Sequence, residues 1–439
     1  MFNWTGHPLV DVGIAAVTAY CGCSDPEELT ENELTAAANY LERLYTQNRA
    51  MRGHADGIVF HNSPYVRGSD PQARAAYVKR TLYSWQEGVP GLAESCAFCG
   101  RPSAYRASRR DVPMLNGQGI INFSPAGRAG LPVCGACSLA LHMLPLGCVK
   151  SGLNLLAAHS SDPGVTLSLA SEALREMLAL LALPDLEKLP GVRYERTRLI
   201  ERMVRWAMKA ADAERPAALT WYVFSNSGTA PSVRIFPISS AVVGFVRAVK
   251  VNPDGTVIDA WERAVARAWV VQPKQSDHDQ LPNRLYEALL DLPVGAPALL
   301  RRHLLPVKHW GLVELYLRRI MNLTQERIDL LRALGDRFAD YAAQKRAFFF
   351  QFARTEHYSQ WRRALLRAAD DASRDGQTLI SFDEFVDVFT APGGEFNDWR
   401  LMRDLIVLRM LEQRAIADDE ALFDETDELL TANAQEDEA

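Results

Sequence analysis

Two C-x-x-C pairs, Cys96/Cys99 and Cys134/Cys137, constrain this chain more than any other feature. Each pair offers two thiolates to one ion, and together they supply the four ligands of a closed tetrahedral zinc site. Four sulfurs leave no position open for water or substrate, so the expected role of the ion is to staple the fold. The 34 residues between the pairs exceed a zinc-ribbon spacing, so the site closes a sizeable inserted loop. The competing reading is a set of unrelated buried thiols. That four of the seven cysteines fall in two identically spaced pairs argues against it.

At 439 residues the chain is long enough for two to four domains with real cores. An odd cysteine count with this spacing fits a reducing compartment better than disulfides. The opening residues, Met1 to Gly6, lack a basic region followed by an apolar core, and no run approaches 18 apolar residues. A cytoplasmic chain with no membrane association is therefore expected. The net charge of −6 conceals an asymmetry: residues 418–439 carry ten acidic residues and no basic one, which leaves the first 417 residues at +4. Within 301–374 there are 15 Lys/Arg against 8 Asp/Glu. A basic stretch followed by an acidic end fits an anionic partner for the first and a solvated, disordered segment for the second. Solvated helix faces are the plainer reading.

The patterning predicts an α+β, multidomain chain. A mixed N-terminal domain takes residues 1–91 and 149–300, interrupted by the zinc insertion at 92–148. A helical bundle follows over 301–417, and the acidic segment over 418–439. Residues 9–22 read as a buried helix. Thr30 with Glu33 forms a capping box ahead of a helix that puts Leu34, Ala37, Ala38, Leu41, Leu44 and Tyr45 on one face. Ile58-Val59-Phe60 reads as a short strand, and Asp70-Pro71 opens a helix to about Trp85. Inside the insertion, Gly119 to Phe123 reads as a strand and Ser138 to Leu144 as a short helix. Cys21, Cys23 and Cys148 are expected to be packed thiols. Two helices fill 165–213. A hairpin spans 218–236 around Asn226-Ser227-Gly228, and a second is expected from Val242 to Ile258 around Asn252-Pro253-Asp254-Gly255.

No catalytic constellation emerges. The nine histidines are scattered, and neither a phosphate-binding G-x-x-x-x-G-K-[ST] loop nor a G-x-S-x-G elbow is present. The chain is expected not to be an enzyme. Nucleic-acid binding is better supported. Arg101, Arg106, Arg109 and Arg110, with Tyr105 among them and Arg128 further on, lie between the cysteine pairs. A planar guanidinium donates two hydrogen bonds to one phosphate. Basic residues there also serve to offset the charge of a zinc–thiolate centre, and both readings stand. Asn116 and Gln118, in the turn Asn116-Gly117-Gln118-Gly119, either reach a groove edge or form an Asn-Gly hairpin turn. In the helical third, Lys345, Arg346, Arg362 and Arg363 are candidates for tracking a phosphate backbone. The aromatics around them, Phe348 to Phe350, Phe352, Tyr358 and Trp361, read mostly as core.

The paired C-x-x-C motifs, with the opening Thr5-Gly6-His7-Pro8-Leu9-Val10-Asp11-Val12-Gly13, resemble the CXXC–CXXC large subunits of type I, I-B-like, CRISPR Cascade complexes. That family opens with a T-G-x-P-x-V-D-x-G segment, matched by Thr5, Gly6, Pro8, Val10, Asp11 and Gly13, while His7 and Leu9 stand where Asn and Phe are commoner. The motifs cover about residues 5–140, and beyond them the likeness is one of length and domain order. The resemblance implies a non-catalytic subunit beside crRNA-containing backbone subunits. Such a subunit recognises the protospacer-adjacent motif on double-stranded DNA and supports R-loop formation. It also implies a C-terminal bundle similar to the separate small subunits, with internal translation from Met321 as their source, and a downstream helicase-nuclease or transposition machinery. The alternatives are a zinc-stapled nucleic-acid-processing enzyme and a scaffold without DNA contact.

Overall fold

The computed structural model describes residues 2–67, 70–86, 91–115, 127–209, 217–227, 231–270, 281–389 and 399–413. The chain forms two compact units, one of Met1–Trp206 with Arg215–Ser240, the other of Ala207–Glu214 with Ala241–Ala439. Both cysteine pairs belong to the first.

The first unit is built around α1 (Pro8–Cys21). Its residues Val10 to Thr18 are all buried, Asp11 included, so the helix is covered on every side. Pro8 starts it, and Gly22 ends it at φ 76°, a left-handed turn that relieves the last carbonyls. α2 (Glu31–Gln47) follows, with the reciprocal Thr30/Glu33 capping box in place and all six expected residues buried. α3 (Arg49–His54) runs into a π-helical turn over Ala55–Val59, where a strand was expected. Ile58 and Val59 are buried, but Phe60 N–H closes the turn on the Ala55 carbonyl at 2.7 Å. The carbonyls of Ile58 and Val59 accept from Asn226 N and Nδ2, which leaves no ladder for a strand.

α4 (Pro71–Leu82), capped by Asp70, leads to a two-stranded antiparallel ribbon of β1 (Tyr105–Ala107) and β2 (Leu131–Val133). α5 (Gly135–Met143) then packs on α1, matching the short helix expected there. β3 (Val149–Ser151), β4 (Asn154–Ser160), β5 (Leu219–Ser225) and β6 (Ser232–Ile238) form one antiparallel sheet in that order, with the expected hairpin as its β5–β6 half. α6 (Pro163–Leu181) and α7 (Glu195–Lys209) lie between β4 and β5 in sequence.

The second unit is helical from its start. Where a second hairpin was expected, α8 (Ser240–Val251) and α9 (Gly255–Arg267) form instead. Val242, Val243, Val246 and Val249 recur at helical spacing and are buried, and this outweighs the β preference of valine. The presumed turn residue Asp254 is the cap of α9, accepting from Thr256 N at 2.9 Å. α10 (Arg284–Leu289), α11 (Ala296–Leu299), α12 (Trp310–Arg319), α13 (Gln325–Gln344), α14 (Arg346–Arg354), α15 (Tyr358–Arg374), α16 (Phe382–Phe389) and α17 (Trp399–Gln413) complete it. The residues 241–300, grouped by sequence with the N-terminal domain, thus pack with the C-terminal helices. The C-terminal aromatics are core: Phe348, Phe349, Phe352 and Trp361 are buried. The acidic segment 418–439 and the Gly119–Phe123 strand lie outside the described residues.

Two features of the first unit fix its stability. Gly13 faces α5 so closely that a Cβ would lie 2.0 Å from the Ala140 carbonyl oxygen. Gly13→Ala is expected to lower unfolding free energy by about 3 kcal/mol through overpacking. Gly53→Ala, on α3 and facing open space, is expected to leave it unchanged or raise it by about 0.5–1 kcal/mol. Chemical denaturation of both variants checks this.

Buried His142, stacked on Phe60 at 4.5 Å, is pushed down to about 4 by desolvation, and His54 to about 3. Both stay neutral when folded and take up a proton on unfolding below pH 6.5. Their contribution is complete above that value and is lost as pH falls toward 4. Denaturation midpoints measured from pH 7 to 4 should fall accordingly, and His142→Gln should flatten the slope.

Candidate metal centre

The first cysteine pair sits on a knuckle made by its own backbone. Gly100 N–H returns to the Cys96 carbonyl at 2.9 Å, and Cys96 N–H donates to the Arg101 carbonyl at 2.6 Å. Gly100, at φ 75°, supplies the left-handed residue that this reversal requires. The second pair straddles the start of α5. Cys134 is its N-cap residue, and its sulfur accepts from Cys137 N–H at 3.4 Å. A helix N-terminus favours the thiolate form of such a sulfur.

The ribbon brings the two pairs together. Tyr105 pairs with Val133, Ala104 N–H donates to the Val133 carbonyl at 2.8 Å, and Ala97 N–H donates to the Pro132 carbonyl at 2.9 Å. The four sulfurs consequently lie within 4.8 Å of one another, with Cys99 and Cys134 3.4 Å apart. Tetrahedral metal–sulfur bonds of about 2.3 Å give sulfur–sulfur edges of about 3.8 Å, which this spacing brackets. It is too long for a disulfide of about 2.05 Å. All seven cysteines are free thiols.

The donor set suits a soft, tetrahedral ion. Hydrogen bonds from Cys134 and then Cys137 hold the Cys96 thiol well below its ordinary range, while hydrogen bonds to Cys134 and Cys96, together with burial, push Cys137 far up. A cation is what allows all four to be thiolates at once. Cys96, Cys134 and Cys137 are buried and Cys99 half-buried. Cys148 is buried outside the cluster. Cys21 and Cys23, half-buried, contact Glu33 through its carbonyl and carboxylate, each at 3.7 Å.

The N-terminal segment belongs to the same assembly. Asp11 Oδ1 accepts from Thr5 N and Thr5 Oγ1 at 2.8 Å each, and its Oδ2 accepts from Gly6 N at 3.0 Å and lies 3.2 Å from His159 Nε2. Burial works against this carboxylate, yet these partners keep it below its ordinary range. The folded turn presents His7 edge-on to Phe98, inside the first knuckle, at 4.8 Å. Gly13 on α1 meets Ala140 on α5. At the start of α5 a Cβ on Gly135 would lie 2.1 Å from Trp85 N, so only glycine fits that C-G-x-C.

The candidate basic residues divide by their partners. Burial opposes the charge of Arg101, but its hydrogen bond to Cys99 and the thiolates of Cys99, Cys134 and Cys137 hold the guanidinium above its ordinary range. It offsets the charge of the centre. Arg106 donates to Glu94 and to the carbonyls of Arg128, Ala129 and Gly130, which stitches the loop shut. Arg109 donates to Asn226 Oδ1 at 3.0 Å and its carbonyl at 2.7 Å. Arg128 pairs with Glu94 at 3.2 Å, with its side chain largely exposed. Arg110 is exposed, and among the described residues nothing engages its guanidinium. Asn116 and Gln118 lie outside the described residues. In the second unit Lys345 is exposed at the α13–α14 junction, Arg346 has a partner, and Arg362 and Arg363 project from α15.

Sequence reading missed Glu94, Asp111 and Asn226. Asp111 pairs with Arg80 at 2.7 Å and accepts from Ser108 N, and Asn226 is fully buried. A turn residue such as Asn226 carries no local sign that a guanidinium 117 positions away depends on it. No family model and no curated protein matches this chain.

Elemental analysis of the purified protein should find one metal ion per chain. Cys96→Ser or Cys137→Ser should lose the ion and melt several degrees lower, about what the loss of a few kcal/mol implies. Cys23→Ser should keep it. A full complement of metal in Cys137→Ser would contradict the assignment.

Proposed function

We propose that this chain is the non-catalytic large subunit of a crRNA-guided type I CRISPR Cascade complex, holding one structural zinc and binding target DNA. One observation carries the reading. The two motifs behind the resemblance, distant in sequence, are physically one object: the Thr5–Gly13 segment closes on Asp11, places His7 on the Cys96–Cys99 knuckle, and seats Gly13 on the helix begun by Cys134. A saturated four-sulfur centre suits a scaffold, because zinc there has no open position for a nucleophile. In this role the zinc holds the knuckle and the start of α5. Thr5, Asp11 and His7 fix the N-terminal turn against them, and Arg101 balances the thiolates.

For DNA contact the reading favours guanidiniums not already engaged among the described residues: Arg110 in the inserted loop, and Arg362 and Arg363 on α15. Phosphate contacts of this sort position a duplex or a displaced strand without reading sequence. Arg106 and Arg109 serve the reading as supports, since their donors are occupied within the fold. Helices α13 to α17 pack on one another, with α14 on α15 and α13 on α17, and they begin just after Met321. This is consistent with a free-standing small subunit translated from that codon. Among the described residues no helix is long and apolar enough to cross a membrane.

Co-expression with crRNA-backbone subunits tests the reading. The chain should co-purify with them, and the assembly should shift motif-bearing duplex DNA. Arg362→Glu with Arg363→Glu should leave assembly intact and lower the dependence of log affinity on log salt by about 0.7 per lost contact. Assembly without any DNA shift would make the chain a scaffold, and metal-dependent cleavage by the chain alone would make it an enzyme. Mass spectrometry of the complex should find a second product beginning at Met321.

A further inference from the structure

The outward face of α15 carries charge that its own unit does not neutralise. Arg362, Arg363 and Arg367 are exposed, and among the described residues no hydrogen bond, ion pair or ring contact engages any of them. Several other arginines of the unit have carboxylate partners. Arg337 pairs with Glu384, Arg374 with Asp370, Arg403 with Asp404 and Arg409 with Asp336. The same face exposes apolar surface: Tyr358 is 38% and Leu366 is 53% accessible. Residues 358, 362 and 366 recur every fourth position, and 363 and 367 run beside them, so a shallow groove alternates apolar and cationic contact until Asp370, itself paired with Arg374, closes its far end.

The chain itself contains a segment of complementary chemistry. Residues 418–439 hold ten carboxylates and no cation, and within them Leu422, Phe423, Leu429 and Leu430 interrupt the acidic runs. The two apolar pairs are seven residues apart, the spacing that returns to one face after two helical turns. Acid flanking apolar residue is the negative image of the α15 groove.

The geometry of the described helices makes the approach short. α17 starts beside α15: the Trp399 ring lies 5.7 Å from the Tyr358 ring, and Arg403 donates to the Thr355 carbonyl at 2.7 Å. Its other end, Gln413, is 15 residues or about 22 Å away along the helix. About seven extended residues span that distance, so a chain leaving Gln413 is long enough to reach the Tyr358 end of α15 by Glu420, with seven carboxylates still to come.

We propose that the acidic segment 418–439 docks on the exposed face of α15 and competes there with nucleic acid. Its carboxylates take the positions of phosphates beside Arg362, Arg363 and Arg367, and its apolar pairs cover Tyr358 and Leu366. The competition rests on the nucleic-acid reading of α15 above, whereas the docking does not. A tethered segment sits at an effective concentration on the order of 1 mM. With an intrinsic dissociation constant of about 100 µM it weakens strand binding about tenfold.

Two titrations at low salt test this with the full chain and a chain ending at Ala417. A fluorescent peptide of residues 418–439 should bind the shortened chain, bind the full chain about tenfold more weakly, and fail to bind the shortened chain carrying R362Q/R363Q/R367Q. These exposed, unengaged positions tolerate glutamine without loss of fold, which circular dichroism checks. An oligothymidylate of about 20 nucleotides should bind the shortened chain about tenfold tighter than the full chain. Absence of peptide binding, or equal binding by the glutamine variant, overturns the docking. Peptide binding as expected with no oligonucleotide binding by either chain upholds the docking and overturns both the competition and the nucleic-acid role of α15.

Discussion

The contact of Gly13 with Ala140 is the constraint around which the first unit is arranged. It lets the buried α1 touch α5 backbone to backbone, where any side chain at Gly13 would collide with a carbonyl oxygen. From that contact the chain is determined in two directions. Toward its N-terminus, α1 positions Asp11 to gather Thr5, Gly6 and His159. Toward the start of α5, the helix delivers Cys134 and Cys137 to the first knuckle, with Gly135 against the Ser84–Trp85 backbone. The sulfur cluster and the N-terminal turn are two ends of one packing solution, joined again where His7 meets Phe98.

This arrangement separates supporting cations from available ones. A guanidinium near a thiolate centre has an obvious electrostatic use, and Arg101 fills it. Arg106 and Arg109 satisfy carbonyls that a short ribbon and a tight turn would otherwise leave unpaired, which buried backbone does not tolerate. Arg110 and the α15 arginines are among the cations that no described residue engages. The arginines of the insertion are mostly engaged within the fold. In the helical unit Arg362, Arg363 and Arg367 line one groove of α15, and no described residue engages them.

How much of this was legible in the sequence followed the range of the determining interaction. The Thr30/Glu33 box lies within one turn, and the cysteine pairs announce their geometry by spacing, so both were readable. Ile58 to Phe60 looked like a strand because three adjacent apolar residues fit one. Its fate was set by Asn226, far along the chain, which takes the carbonyls a neighbouring strand would need. The valines of α8 and the Asp254-Gly255 pair looked like a hairpin, since an N-cap and a turn use the same residues. The arginine partners Glu94 and Asn226 left no local trace at all.

The central claim is that metal centre and N-terminal turn form one cooperative unit. Hydrogen-exchange mass spectrometry of the metal-loaded and chelator-stripped protein tests it most directly. Removal of metal should raise exchange in 96–101 and 133–140 and, to a similar degree, in 5–13, while α13 to α17 stay protected. Exchange confined to the cysteine segments, with 5–13 as protected as before, would contradict the account.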